Sequence, residues 1–177
     1  MPADLADRTD FDNANRGLIA RLEPGVIKTA EGRAIWDIDA YGMATQGECP
    51  PTVDPSLWRQ AKLTAIQGLF EVTGRVYQVR GADLSNMTLV ETDNGVIVID
   101  PLVSEECARA AIGLYREHRG DRQVVAVIWS TPYRRTSTPA PRCCAAACTT
   151  RGRACRSARR ATSPWAWARR RPTARSG

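Results

Sequence analysis

Histidine is almost missing from this chain: His118 is the single one in 177 residues. A catalytic dyad built on it would need a cysteine or carboxylate beside it, and a histidine-rich metal centre lacks its donors. No run of 18 or more apolar residues exists, and Met1 to Arg21 alternates charges with single apolar side chains. Neither a membrane span nor a secretory apolar core is expected, which makes the cytoplasm the expected compartment. Six cysteines do not make a disulfide framework in that setting. Cys49 and Cys107 stand far apart, the other four fall between Cys143 and Cys155, and all six read as reduced thiols.

A further absence is confined to one end. From Trp129 to Gly177 there is no Asp, Glu, Lys, Leu, Ile, Val, Met or Phe, whereas Arg occurs 12 times and Ala 10. All 19 acids lie before that stretch, so the first part carries a net charge of −6 and the remainder +12. A segment without branched aliphatic residues cannot bury the apolar area that offsets chain entropy. Residues 131–177 are therefore expected to form a disordered, Arg-rich tail rather than a second domain. What is left, about 130 residues, suffices for one modest core.

Residues 1–50 read as an N-terminal arm, irregular apart from Val26-Ile27 and the strand-like alternation from Ala34 to Asp39. Asp54-Pro55-Ser56 then starts a helix, with Asp54 as N-cap and Pro55 at the first helical position, where its missing N–H costs nothing. Trp58, Ala61, Ala65, Ile66 and Leu69 follow at helical spacing, and Glu71 to Gly74 ends the pattern. Strands are predicted at Val76–Val79 and Met87–Glu91, with Asp93-Asn94-Gly95 turning the chain into Val96–Ile99. Ser104 caps a second helix with Glu105 and Glu106 in its first turn, and Cys107, Ala111, Leu114, Tyr115 and His118 form its stripe before Gly120. Val124–Ile128 and Val96–Ile99 are apolar throughout and read as strands covered on both faces. A right-handed crossover through the helix would make those two strands parallel, the front of a layered α/β sandwich.

Several strings occur here in a distinctive order: Pro55-Ser56-Leu57-Trp58-Arg59-Gln60, Phe70-Glu71-Val72, Val76-Tyr77-Gln78-Val79-Arg80-Gly81, Asp83-Leu84-Ser85-Asn86-Met87-Thr88 and Val96-Ile97-Val98-Ile99-Asp100-Pro101-Leu102. From about Phe11 to Ile128 the chain resembles the zinc-dependent alkyl sulfatases of the metallo-β-lactamase superfamily. The resemblance implies an αββα sandwich, of which residues 51–130 would be the N-terminal part, two zinc ions, and hydrolysis of alkyl sulfate esters such as dodecyl sulfate. Two zinc ions can supply hydroxide at neutral pH and neutralise the departing sulfate. In the family the strand matching Val124–Ile128 runs into an HxHxDH ligand motif. The alignment puts Thr131, Tyr133, Arg135 and Thr136 at those four positions. None is a zinc ligand, so no zinc is expected on this chain and no catalytic or metal-binding residue is assigned.

Asp100 matches the superfamily's first motif, an Asp at a strand end that holds the ligand loop from behind the metal, against the plainer reading of a strand-terminating Asp before Pro. Asn86 is read as satisfying a turn, and His118 as a charge favourably placed at a helix C-terminus. Cys143, Cys144, Cys148 and Cys155 lack the paired CxxC spacing of a zinc knuckle. The tail's composition is what a GC-rich gene encodes out of register, so the chain reads as an inactive N-terminal part of an alkyl sulfatase, frameshifted after about Ser130. The family's homodimer is not expected of it. The alternative is a small α/β domain whose Arg-rich tail binds nucleic acid through phosphate attraction and the stacking of Trp165 and Trp167. A third reading is a structural remnant that pairs with another copy through an exposed sheet edge.

Overall fold

The computed structural model of the protein describes residues 5–42 and 47–130. Its centre is a six-stranded sheet in the order β1-β4-β5-β6-β7-β8, formed by Leu18–Ala20, Gly68–Thr73, Val76–Arg80, Met87–Thr92, Gly95–Ile99 and Val124–Ile128. All neighbours are antiparallel except β7 and β8, which run parallel. Helix α3, Glu105–Arg119, joins that pair as the predicted crossover. A separate hairpin of β2 (Val26–Lys28) and β3 (Ala34–Asp37) lies on the α3 side. Helices α1 (Thr9–Asn15) and α2 (Pro55–Thr64) and a single 3-10 turn (Asp39–Tyr41) also occur among the described residues.

The core forms between one sheet face and α3. Leu69, Tyr77, Val79, Met87, Leu89, Val96, Val98 and Val127 meet Cys107, Ala108, Ala111, Ile112 and Tyr115, with Leu22 and Ile27 closing the side. Strict alternation in β6, where Met87, Leu89 and Glu91 are buried and Thr88, Val90 and Thr92 half-buried, shows that one face of the sheet carries the core. Both predicted helix caps are present: Asp54 accepts from the amides of Ser56 and Leu57, and Ser104 accepts from that of Cys107.

Several sequence expectations need correction. The first helix stops at Thr64 instead of running to Phe70, and Leu69 and Phe70 belong to β4. The apolar residues there fit either period, and pairing of Leu69 with Val79 and Phe70 with Gln78 decides for the strand. Gly74-Arg75 is consequently a hairpin turn, with Arg75 at φ 68°. Among the described residues β7 and β8 are fully covered on one face only: Ile97, Ile99, Val125, Ala126 and Ile128 are half-buried. The N-terminal arm does more than wrap the body, because β1 extends the sheet along β4. Among the described residues no helix is long and apolar enough to cross a membrane.

Candidate functional site

The parallel crossover brings the C-terminal ends of β7 and β8 side by side, with Ile99 opposite Ile128. Because β6 runs antiparallel to β7, its first residues arrive at the same place, Thr88 opposite Ile99. Three loops therefore meet at one end of the sheet: residues 81–86, 100–103 and the exit from β8 at Trp129-Ser130. In an α/β sheet this is the end where sites are built.

Asp100 stands at the centre of that end. Its amide donates to the carbonyl of Ile128 at 2.8 Å, and its Oδ1 accepts from the Ser130 amide at 2.8 Å. The Ser130 hydroxyl donates to the other carboxylate oxygen. Both oxygens of Asp100 thus hold the first residues beyond β8, as charge-assisted hydrogen bonds do best. The backbone here is unusual. Asp100 has φ 55° and Leu102 φ 69°, with Pro101 between them. Left-handed conformations at non-glycine residues cost about 1–3 kcal/mol each and persist only where the surroundings impose them. Leu102 is buried in the core, which supplies part of that constraint.

Asp83 supplies another part. It is a buried carboxylate whose Oδ2 accepts from the Val103 amide at 2.8 Å, while Oδ1 accepts from the amide of Leu84. Asn86 is exposed and lines a cleft of about 390 Å³ together with Trp36, Tyr41, Ile66, Arg80 and Leu84. Arg80 stacks 4.3 Å over the Phe70 ring and donates from Nε to Gln78 at 2.7 Å, and burial lowers its pKa. His118 does not belong to this end. It sits near the opposite terminus of α3, about 20 Å along the helix from Ser104 at 1.5 Å per residue, exposed and off the buried stripe, with Nδ1 donating to the Leu114 carbonyl at 3.0 Å. A wider cleft of about 1320 Å³ lies between the Leu18–Glu31 stretch and α3; Glu106, Glu117 and His118 line it at different points along the helix, and Asp100 does not.

The donors at the sheet end do not fit a pair of zinc ions. Asp83 and Asp100 already direct their oxygens at amides and a hydroxyl, and among the described residues no three His, Cys, Asp or Glu side chains gather at one point. Thr131, Tyr133, Arg135 and Thr136, aligned with the family's ligands, lie outside the described residues, as do Cys143, Cys144, Cys148, Cys155 and the Arg-rich tail. Sequence reasoning located Asp100 but overlooked Asp83 and the Ser130 hydroxyl. An acid in a loop normally faces water, and only the fold shows that Asp83 is buried against Val103.

Residues 80–130, from the end of β5 to the exit of β8, match the Metallo-beta-lactamase superfamily. The described fold is accordingly a mixed α/β layered arrangement carrying a metallo-β-lactamase domain segment. Over about 70% of its length the chain is similar to alkylsulfatases. It is 52% identical over 125 residues to a linear primary-alkylsulfatase of Pseudomonas sp and 50% identical over 126 residues to an (R)-specific secondary-alkylsulfatase of Pseudomonas sp. The alkyl/aryl-sulfatase BDS1 of Saccharomyces cerevisiae is 43% identical over 126 residues. These matches cover 70%, 71% and 71% of this chain but 18%, 19% and 20% of the relatives. The chain thus spans about a fifth of the length of the curated relatives it matches. The solved structure of the stereoselective inverting sec-alkylsulfatase Pisa1 from Pseudomonas sp. superposes with a TM-score of 0.66 at 51% identity, over 70% of this chain and 19% of that one.

Proposed function

We propose that residues up to about Ser130 are the N-terminal part of a hydrolase that in complete form cleaves alkyl sulfate esters, such as dodecyl sulfate, with two zinc ions. Past Ser130 the chain has left its reading frame, and as it stands it does not catalyse that reaction. The observation that carries this reading is a coincidence of limits. The superfamily match ends at residue 130, and the composition loses every acid and every branched aliphatic residue after Ile128. Selection on a protein rarely produces so abrupt a change, whereas one inserted or deleted base does.

Bound zinc would supply hydroxide and neutralise the sulfate leaving group. This chain's own contribution is Asp100, which holds the exit of β8 at the place where the resemblance puts the HxHxDH ligands. The test is the coding DNA. Read one or two bases out of register just past the codon for Ser130, it should give that motif and then regain Asp, Glu, Leu, Val and Ile as far as the position of Gly177. If neither frame does so, the reading fails, and the Arg-rich segment must be treated as selected, with nucleic acid as its first candidate partner. The purified chain should also retain no stoichiometric zinc and release no sulfate from dodecyl sulfate, since zinc needs at least three protein ligands in fixed geometry. Two bound ions with turnover would overturn the proposal.

A further inference from the structure

We propose that Asp83 is the positioning residue for Asp100 and, through it, for the chain leaving β8. The role matters for hydrolysis only if Asp100 anchors a ligand loop as read above, but the coupling itself belongs to the described fold. The turn Asp100–Leu102 is left-handed at both ends, and Pro101 between them has no amide to anchor it. Its start is fixed on β8 by the Asp100 amide on Ile128. Its far end is fixed by the Val103 amide on Asp83, 20 positions earlier in the chain. The Asp83 carboxylate cannot rotate freely, because its second oxygen is engaged by Leu84 and the residue is buried.

Loss of that acceptor removes one of the constraints on the far end and favours relaxation of Leu102 from φ 69° toward the ordinary negative range. Such a relaxation swings the preceding peptide units and with them the Asp100 carboxylate. Ser130 bonds through both its amide and its hydroxyl to that carboxylate, so it is the residue that registers the movement. The plainer role for Asp83 is to satisfy its own loop, an effect that would stop at Leu84 and Val103.

The two roles separate by amide hydrogen exchange on the full chain, read by NMR for Ser130 and Val103, with Leu89 and Val98 in the sheet as reference. In D83A, exchange at Ser130 is expected to rise at least tenfold although Asp83 does not touch it, with Leu89 and Val98 unchanged. D83N keeps an acceptor oxygen and is expected to fall between D83A and the parent. D100N is expected to release Ser130 and leave Val103 protected. Loss of protection at Val103 with Ser130 unchanged would overturn the proposal. So would equal acceleration at Ser130, Leu89 and Val98 in both Asp83 variants, which would mark a general loss of stability. The readout involves neither zinc nor the reading frame, so a failed sulfatase reading and a failed coupling give different results.

Discussion

The hydroxyl of Tyr115 on α3 donates a 3.0 Å hydrogen bond to the carboxylate of Glu91 on β6, inside the core. Glu91 also accepts from Nε of Arg119 at 3.3 Å and pairs with Arg122 at 3.6 Å. The Arg119 guanidinium in turn lies 4.7 Å over the ring of Tyr77, whose centroid is 6.0 Å from that of Tyr115. One buried acid thereby joins the sheet, the crossover helix and the segment entering β8.

Removing the hydroxyl with Y115F is expected to destabilise the domain by about 1.5–3 kcal/mol, the usual worth of a hydrogen bond to a charged group. E91A is expected to cost more, because it also removes the partner of Arg119 and Arg122 and leaves the Tyr115 hydroxyl unpaired in the core. Denaturant unfolding of both variants measures the difference. An effect of Y115F equal to that of E91A would mean that the arginines contribute nothing.

Burial raises the Glu91 pKa, but hydrogen bonds from Arg119 and Tyr115 and the fields of Arg119 and Arg122 outweigh it, leaving the carboxyl below its ordinary 4.5. The stability it confers is therefore complete above about pH 4.5 and is lost as pH falls through the depressed value. Tyr115 has the opposite sign. Burial, with the hydrogen bond to Glu91, raises its pKa, so its stabilising effect is complete below pH 10, its ordinary value, and is lost as pH rises from there through the raised value. Melting curves from pH 2 to pH 7 should show an acid loss that E91Q flattens.

Gly95 begins β7 at φ 146°, and a Cβ there would lie 2.2 Å from the carbonyl of Gln123. G95A is expected to push β8 off β7, since neither strand backbone has room to yield. The measurement is the thermal midpoint, which should fall by more than about 4 °C, the shift that 1 kcal/mol produces in a domain of this size. An unchanged midpoint would mean that β7 and β8 are less closely paired than described.

Leu89 is fully buried and Leu84 is 84% exposed. L89A is expected to cost about 2–5 kcal/mol through lost burial and the cavity left behind. L84A is expected to stay within about 0.5 kcal/mol. Paired urea titrations compare them.

The segment beyond Ser130 carries 12 arginines and no acid. The full chain is expected to bind DNA without sequence preference, with affinity falling steeply as salt rises. An arginine peptide of equal charge should match it. Binding in which the folded part adds affinity would favour the nucleic-acid reading over the frameshift.

The parallel pairing of β7 and β8 was legible because each is a short apolar run and a capped, amphipathic segment separates them. The same logic failed at Leu69-Phe70, where apolar residues continue the helical spacing of α2 and only cross-strand partners reveal a strand. It failed also on the outer face of β7 and β8, since an apolar run looks the same whether one face or both are covered. Asp100 was legible as an acid that closes an apolar strand. Its partner Ser130 and the clamp at Asp83 depend on contacts across 30 and 20 positions, which local pattern does not encode.

The pairing of β8 on β7 is pinned twice. Asp100 grips Ser130 just beyond one end of β8, and Glu91 attracts Arg122 just before the other. A slip by one residue would move Val124 and Val127 from the α3 side to the outer face and break both attachments at once. Both attachments therefore favour the same alignment of β8 on β7. A chain that meets β7 out of phase gains neither polar contact, so the native alignment is the one these two attachments reward.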